Sequence, residues 1–360
     1  MRIFISFILS LVALVATAQD YSISCTVNPE YNGKSVYLVD KNAGDTISSC
    51  EVVDGAFCFQ GNISRQAVYD VVVNRIKGVV ATVLVQNGTQ ADVNMTVRPA
   101  VISDNGGLND KLVAIQTSIN EHRAQLAGAV KRLTDEGKSE EEIQEMTKTE
   151  TEALYDVYRN AIAANSDNIL GAYALSLGAR LLYKTISDFD AVMSKVEYAT
   201  DFRSLTKMRI ALYYGEKTKV GCKFIDFAGY SLGGEAVRLS DYVAKGKYVL
   251  VDFWASWCGP CKKEMPHIVA ANSKYTGEQF MVVGVNVSDK EDSFKAALPV
   301  LGIEYPQIYI PRNSKDEDNA VLLYNVATIP HLMLIAPDGT ILERGIQGAE
   351  LDEKIASFVK

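Results

Sequence analysis

The chain has 360 residues, and hydrophobic residues make up 48% of them, which is enough for two or three domains with sizeable cores. The formal net charge at pH 7 is -8. This acidic balance excludes nucleic acid as the main partner, because phosphate binding needs a basic face, and it gives no polybasic signal for an anionic membrane surface.

Residues 1–18 have the organisation of a secretory signal peptide. Arg2 supplies a positive charge, an apolar core follows from Ile3 to Val15, and Ala16-Thr17-Ala18 fits a small-x-small cleavage site. The apolar stretch is short for a membrane span, no later segment is suitable, and no cysteine for a lipid anchor follows the cut. We therefore expect an exported, periplasmic protein that begins at Gln19. An uncleaved anchor is the alternative.

Residues 19–104 predict an all-β antiparallel domain, either a small sandwich or a barrel. Short segments rich in β-branched and aromatic residues are separated by turn dipeptides: Asn32-Gly33, Asp54-Gly55 and Asn87-Gly88. The stretch from Ser49 to Phe59 is predicted as a hairpin that closes at Asp54-Gly55. In that hairpin Cys50 and Cys58 face opposite sides of the sheet, so we expect no disulfide between them. We see no catalytic constellation in this domain.

Residues 105–218 have helical patterning and predict four or five helices in an irregular bundle. Apolar residues recur at helical spacing at the start of this region: Leu108, Leu112, Ile115 and Ile119. Ser139 and Glu142 have the spacing of a capping box. The acidic cluster from Glu140 to Glu145 is interpreted as a solvated helix face rather than a cation site. The first helix could also pair with a partner helix, so the sequence leaves the oligomeric state open.

Residues 219–360 alternate strand and helix signals, which predicts a mainly parallel sheet flanked by helices. The run from Lys247 to Trp254 is almost continuously apolar, as expected of a central strand that is buried on both faces. Further elements are a second buried strand, a hairpin around Pro-Asp-Gly-Thr and a closing helix: Gln279 to Val287, His331 to Arg344, and Glu350 to Val359.

Two of the six cysteines form a C-x-x-C motif, Cys258 and Cys261. They follow the strand that ends near Trp254, and a helix is expected to begin around Gly259. Backbone N–H groups at a helix start favour a thiolate at Cys258, and a thiol one turn later can resolve a mixed disulfide. A zinc site needs four ligands, but the chain has no second C-x-x-C and only three histidines, so we expect no metal. Two inert thiols are the other alternative, and Cys222 is interpreted as structural.

The stretch "VDFWASWCGPCK" resembles the active site of thioredoxin, and its continuation "KEMP" resembles the TlpA/ResA branch of extracytoplasmic thiol-disulfide oxidoreductases. The segment before it, from Phe224, is similar to the lead-in of AhpC/TSA-type redoxins. The resemblance covers about 140 residues from Cys222 onward and implies a C-terminal α/β thioredoxin-like domain. It assigns no activity to the N-terminal β domain or to the helical region.

The resemblance implies roles for five residues around the motif. Cys258 would be the nucleophile and Cys261 the resolving thiol, and the two would form a redox disulfide. Trp257 would shield the pair and contact substrate. Ile329 and Pro330, in "ATIPH", match the cis-proline loop that binds the substrate backbone. No cofactor is implied.

Two carboxylates could transfer the proton. Asp252 matches the buried aspartate of thioredoxin, and its place in an apolar strand is otherwise unexplained. Glu264 matches the TlpA/ResA carboxylate one turn after the second cysteine. We favour Asp252, although thioredoxin has a lysine where this chain has Gly284. His267 and His331 are interpreted as surface or packed residues.

The favoured function is the reduction of disulfides in exported proteins, with a membrane electron donor, because Gly-Pro between the cysteines resembles the reducing members of the superfamily. A disulfide oxidase or isomerase is an alternative, and so is a partner-binding protein with an auxiliary redox domain. A peroxidase is disfavoured. Peroxiredoxins have a P-x-x-x-[TS]-x-x-C motif, and this chain has no proline at the corresponding position before Cys258.

Overall fold

Residues 20–73, 80–311 and 319–359 are described by the computed structural model of this chain. The chain divides into two units. The first runs to Leu182 and takes in Val192–Leu205, and the second consists of Tyr183–Ala191 and Thr206–Lys360. The predicted signal peptide, residues 1–18, lies outside the described residues. The predicted domain boundaries after residues 104 and 218 stay predictions.

The strands of the first unit form two four-stranded sheets, with the orders β4-β1-β7-β8 and β3-β2-β5-β6. Both sheets contribute side chains to one buried cluster, which includes Ile23 and Val71. The prediction of a wholly antiparallel domain is wrong at one pair, because β1 and β7 run parallel. The strands are β1 (Tyr21–Thr26), β2 (Ser35–Asp40), β3 (Thr46–Glu51), β4 (Ala56–Gly61), β5 (Ala67–Val73), β6 (Val80–Val85), β7 (Thr89–Asn94) and β8 (Val101–Ser103).

The predicted hairpin between Ser49 and Phe59 has the expected turn but not the expected pairing. Asp54 and Gly55 both have positive φ, 51° and 71°, as a tight turn requires. Beyond one bridge at this turn, however, β3 and β4 belong to different sheets. The chain crosses between the sheets here because β4 pairs with β1 and buries its two phenylalanines in the shared core. Cys50 and Cys58 are free thiols.

Six α-helices lie in the fully described stretch that follows, rather than the four or five predicted. The prediction missed a short helix: two of the six helices have only seven and eight residues. The predicted capping box is confirmed: Ser139 N–H donates to Glu142 Oε2 at 2.9 Å, and Glu142 N–H donates to Ser139 Oγ at 3.3 Å. The helices are α1 (Leu108–Asp135), α2 (Glu140–Met146), α3 (Lys148–Ala164), α4 (Ile169–Leu182), α5 (Ile186–Met193) and α6 (Arg203–Lys217).

The second unit contains a seven-stranded sheet in the order β10-β9-β13-β12-β11-β14-β15. The central strand, the second buried strand, the hairpin and the closing helix are confirmed, each within one or two residues of the predicted bounds. The strands are β9 (Ala228–Tyr230), β10 (Ala236–Arg238), β11 (Tyr248–Trp254), β12 (Phe280–Val287), β13 (Gln307–Ile310), β14 (His331–Ile335) and β15 (Ile341–Ile346). The helices are α7 (Gly259–Tyr275), α8 (Glu291–Leu301), α9 (Ala320–Leu323) and α10 (Glu350–Phe358).

The prediction of a mainly parallel sheet is wrong for this unit. Only β11–β12 and β12–β13 are parallel among the described strand pairs, and a crossover helix, α7 or α8, joins the strands of each pair. The other neighbours are antiparallel. The hairpin of β14 and β15 explains part of this, because strands joined by a tight turn must run in opposite directions.

The central strand β11 presents different side chains to the two faces of the sheet. Leu250 and Trp254 join the buried cluster that contains both cysteines of the motif, whereas Val251 and Phe253 join the cluster on the opposite face. Because side chains alternate along a strand, Asp252 lies on the same face as Leu250 and Trp254. The fold therefore places this carboxyl group on the cysteine side of the sheet.

Gly284 is directly opposite Asp252 on β12, which is where the sequence comparison with thioredoxin placed it. On its other side Gly284 pairs with Gln307 of β13, and a Cβ atom built on Gly284 would overlap the side-chain amide of Gln307. The amide thus occupies the space that a side chain at position 284 would need. A larger residue at this position would have to displace the amide, whose Oε1 accepts the indole N–H of Trp254.

Gly284→Ala should therefore destabilise the protein by about 1–3 kcal/mol, because a buried amide must move to admit the methyl group. Chemical denaturation of the oxidised protein measures this change. Gly277→Ala is the matched control, since a Cβ atom there meets no atom within 4 Å, and it should stay within about 0.5 kcal/mol of wild type. Equal stabilities for the two variants would contradict the packing argument.

Candidate active site

A disulfide joins Cys258 to Cys261 at the start of α7. Cys258 is the N-cap residue of this helix, and its Sγ accepts a hydrogen bond from Cys261 N–H at 3.1 Å. Pro260 stands in the first turn, where its missing N–H leaves no bond unmade. When the disulfide is open, the same backbone N–H group and the helix dipole stabilise a thiolate at Cys258.

The two sulfur-bearing residues are buried, but an aromatic side chain beside them is not. Cys258 is 3% exposed and Cys261 is 1% exposed, whereas Trp257 is 60% exposed. The pair belongs to the buried cluster that includes Trp254 and Met265, and shielding of the pair by Trp257 stays a prediction. The exposed indole is free to contact another molecule, and its role in substrate binding stays a prediction.

The loop before β14 lies against Cys258. The Ile329–Pro330 peptide bond is cis, and the carbonyl oxygen of Ile329 is 3.5 Å from Cys258 Sγ. Pro330 is buried and Ile329 is half-buried, whereas Thr328 is exposed. The fold therefore brings the three residues Cys258, Ile329 and Pro330 to one place.

His331 directly follows this loop, and Arg344 lies beside His331 on the neighbouring strand β15. Arg344 donates to the carbonyl oxygens of Thr218, at 2.9 Å, and of Tyr324, and its Nε is 3.4 Å from His331 Nε2. Burial, together with the Arg344 charge, lowers the pKa of His331 to about 4. His331 is therefore neutral at pH 7 and supplies no positive charge to a thiolate. His267 is exposed on α7.

Asp252 is the most unusual titratable group of the site. It is 0% exposed, and neither carboxyl oxygen has a hydrogen-bond partner among the described residues. Burial, followed by the negative charge of Glu264, raises the pKa of Asp252 to about 8, against an opposing contribution from the nearby Tyr305 hydroxyl. The Tyr305 hydroxyl has a single proton and donates it to Met265 Sδ at 3.1 Å, so burial dominates. Asp252 is mostly protonated at pH 7.

Glu264 has a different environment from Asp252, although both were candidates for the proton role. It lies on α7, is 8% exposed, and its Oε1 accepts the backbone N–H of Gly348 at 2.7 Å. Asp252 accepts no such bond, so the two carboxyl groups differ in how they are held.

A clamp on the loop between β11 and α7 was missed by the sequence analysis. Asp289 is buried and accepts two hydrogen bonds from Ser256, from the backbone N–H at 2.7 Å and from Oγ at 2.8 Å. Asn286 Nδ2 donates to the same carboxylate at 2.7 Å. The sequence did contain a signal for this contact. Ser256 closely follows β11 and Asp289 closely follows β12, and because neighbouring parallel strands end at the same edge of a sheet, the two residues can be expected to lie close together.

Other candidate chemistry in the chain is limited. Within the described ranges, no group of three or more His, Cys, Asp or Glu residues is arranged to hold a metal ion. In the same ranges, no helix has the length and apolar character needed to cross a membrane. Cys25, Cys50, Cys58 and Cys222 are free thiols.

Comparison with known proteins places this site in a family. Residues 220–344 match the AhpC/TSA family. The chain is 34% identical over 131 residues to the thiol-disulfide oxidoreductase ResA of Geobacillus kaustophilus, covering 36% of this chain and 71% of that protein. The chain belongs to the AhpC/TSA family, among its ResA-like members. It is a thiol-disulfide oxidoreductase with a thioredoxin-like domain in its C-terminal part.

A second relative and two solved structures are also similar to this chain. ResA of Bacillus subtilis is 30% identical over 129 residues, which cover 36% of this chain and 68% of that protein. Among solved structures, the thioredoxin domain of a thiol-disulfide oxidoreductase from Bacteroides vulgatus is 29% identical, with a TM-score of 0.37, covering 39% of this chain and 99% of that chain. The thiol:disulfide interchange protein DsbE from Chlorobium tepidum is 30% identical, with a TM-score of 0.35. The match covers 39% of this chain and 99% of that chain.

Replacing the buried carboxyl group tests its protonation. The pKa of Asp252 is raised from an ordinary 3.8 to about 8 on folding. Below about pH 4 both the folded and the unfolded chain carry the proton, and between pH 4 and pH 8 only the folded chain keeps it. The stability that the proton supports therefore falls steadily from about pH 4 and is fully lost once the pH has risen through 8. Asp252→Asn lacks this titration, so its stability relative to wild type should rise between pH 5 and pH 8 and then level off.

Chemical denaturation of the oxidised proteins across this pH range measures the gain. Asp352→Asn is the control, because Lys274 lowers the pKa of the exposed Asp352 below its ordinary value, so the stability difference between this variant and wild type should stay constant over the same range. Stability curves that run parallel for wild type and Asp252→Asn would show that Asp252 titrates normally.

Proposed function

We propose that this enzyme reduces disulfide bonds of exported proteins in the periplasm, through cycles of the Cys258–Cys261 pair that a membrane donor re-reduces. The observation that carries the proposal is the placement of Cys258. Its sulfur lies at the N-terminus of α7 and 3.5 Å from the cis-proline loop, next to the exposed Trp257, while Cys261 lies behind it. In the proposal, this arrangement makes Cys258 the cysteine that meets the substrate and Cys261 the one that resolves the mixed disulfide.

The first step joins enzyme and substrate. The thiolate of Cys258 attacks one sulfur of the substrate disulfide, a mixed disulfide forms, and the other substrate sulfur leaves as a thiolate. Cys261 then loses its proton and attacks Cys258 Sγ. The Cys258–Cys261 bond forms and the second substrate thiolate leaves, so two electrons have passed from the enzyme pair to the substrate.

Asp252 is the proposed proton acceptor in the second step. In its ionised form it takes the proton of Cys261, and a pKa near 8 suits exchange with a thiol near neutral pH. In the oxidised enzyme Asp252 holds this proton. When the donor opens the disulfide, Asp252 returns the proton to Cys261. Glu264 is kept as the secondary candidate because its Oε1 already accepts the Gly348 N–H.

Three features support the direction and the location. Gly259 and Pro260 between the cysteines resemble the reducing members of the superfamily, in which the thiolate is less stabilised than in the oxidases. Residues 1–18 have the pattern of a signal peptide, which supports export. Exported proteins carry the disulfides that such an enzyme would reduce.

Trapping of the mixed disulfide tests the proposal. Cys261→Ser cannot resolve the bond at Cys258, so the variant expressed in its native compartment should hold exported proteins, together with a membrane donor, in bonds that a reductant releases. Identification of the released proteins is the measurement.

Cys258→Ser is the control and should trap nothing through the motif. In the proposed mechanism its remaining thiol, Cys261, resolves the bond at Cys258 and does not attack the substrate. A Cys261→Ser variant that traps no exported protein would contradict the reductase proposal. A measured reduction potential closer to about -120 mV than to about -270 mV would instead support the oxidase alternative.

A further inference from the structure

The first unit contains a cavity that the redox chemistry does not use. It is lined by α1, α3, α4 and the segment before β8, and its volume of about 350 Å³ is at the lower end of the range for small-molecule pockets. Lining residues recur along one face of α1 at helical spacing: Val113, Gln116, Asn120 and Arg123. One wall of the cavity is therefore built on a long helix rather than on a loop.

Part of the cavity wall is apolar. Ile119 and Tyr158 belong to a buried cluster of α1 and α3, and Val113 packs against the core between the two β sheets. Leu177 of α4 also lines the cavity and is 39% exposed. An apolar group that enters this space removes apolar surface from water, which favours binding.

A cation lies beside this apolar wall. Of the described residues that line the cavity, Arg123 is the only charged one, and it forms no ion pair elsewhere in the described ranges. Its Nη2 donates to the hydroxyl of Tyr158 at 2.6 Å, and its other N–H groups have no partner among the described residues. The planar pair of donors on a guanidinium matches the two oxygens of a carboxylate.

Tyr158 holds the guanidinium in position. Tyr158 is 0% exposed, and a Cβ atom built on Gly178 of α4 would come within 2.6 Å of its ring. The glycine lets α4 approach so closely that the ring is fixed by packing. Because this fixed hydroxyl holds one nitrogen of Arg123, less side-chain freedom is lost when the guanidinium takes a ligand.

We propose that this cavity binds a small carboxylate with an apolar body, with the carboxylate paired to Arg123 and the apolar group against Ile119 and Leu177. Gln116 and Asn120 supply neutral amides that can donate to the same ligand. A free aliphatic monocarboxylate and an apolar C-terminal residue of a peptide share this chemistry. The inference is independent of the redox function, because every residue it uses lies in the first unit.

Calorimetric titration of the oxidised full-length protein with octanoate tests the proposal. Octanamide is the comparison ligand, because it has the same apolar body without the charge. Wild type should bind octanoate about five- to tenfold more tightly than octanamide. Arg123→Gln should abolish this preference by weakening octanoate and leaving octanamide unchanged. Arg132→Gln is the matched control, since Arg132 is exposed on the same helix and does not line the cavity, and it should bind both ligands as wild type does.

Two further variants separate the charge from the apolar wall. Tyr158→Phe keeps the ring but releases the guanidinium, so octanoate should bind about two- to tenfold more weakly while octanamide is unaffected. A general loosening of the fold would weaken both ligands. Leu177→Asn should weaken both ligands alike, because both cover the apolar wall.

A tripeptide that ends in leucine, with a free or an amidated C-terminus, distinguishes the two sources of the carboxylate. Tighter binding of the free form that is lost in Arg123→Gln would support the proposal with a peptide as the source, and the same result with octanoate alone would support a free monocarboxylate. The proposal would be overturned if wild type bound neither octanoate nor the free tripeptide. Equal affinities for octanoate and octanamide would also overturn it, as would equal losses in Arg123→Gln and Arg132→Gln.

Discussion

Burial of the Asp252 carboxyl group inside the central strand is the constraint on which the chemistry of the site depends. An ionised carboxylate away from water is costly unless hydrogen bonds or a cation offset the loss of hydration. Within the described part of the chain, Asp252 has neither. The group therefore keeps its proton at neutral pH, and it lies on the face of the sheet that carries the one disulfide of those ranges. In the proposed mechanism this proton is the one that Cys261 gains or loses.

The scaffold supplies the remaining parts of the site from elements that end near one another. The parallel strands β11 and β12 finish at the same edge of the sheet, which lets Asp289 hold Ser256 ahead of the nucleophile. The helix α7 begins there, with Cys258 as its N-cap. The antiparallel strand β14 begins beside the end of β11, so the loop that precedes it reaches Cys258.

Local features of this site were predictable from the sequence. The helix start after Trp254, the buried strand before it and the position of Gly284 opposite Asp252 all depend on patterns within a few residues or on similarity to thioredoxin. The capping box at Ser139 was predictable for the same reason, because its two partners are three residues apart.

Features that depend on distant partners were missed. Gln307 contacts Trp254 across 53 positions of sequence, and Tyr305 reaches Met265 across 40. Neither residue has a local pattern that distinguishes it from an ordinary strand residue. Likewise, the turn at Asp54-Gly55 was visible, but the choice of β1 rather than β3 as the partner of β4 is made by packing between sheets.

The central claim is that Asp252 exchanges its proton with the cysteine pair. The most direct measurement is the rate at which dithiothreitol opens the Cys258–Cys261 disulfide, in wild type and in Asp252→Asn, between pH 6 and pH 10. Dividing the wild-type rate constant by that of Asp252→Asn cancels the pH dependence of dithiothreitol itself. The account predicts that this ratio falls as pH rises, with a midpoint near pH 8, because protonated Asp252 supplies the proton to the departing Cys261 sulfur. A ratio that stays constant across this range would contradict it.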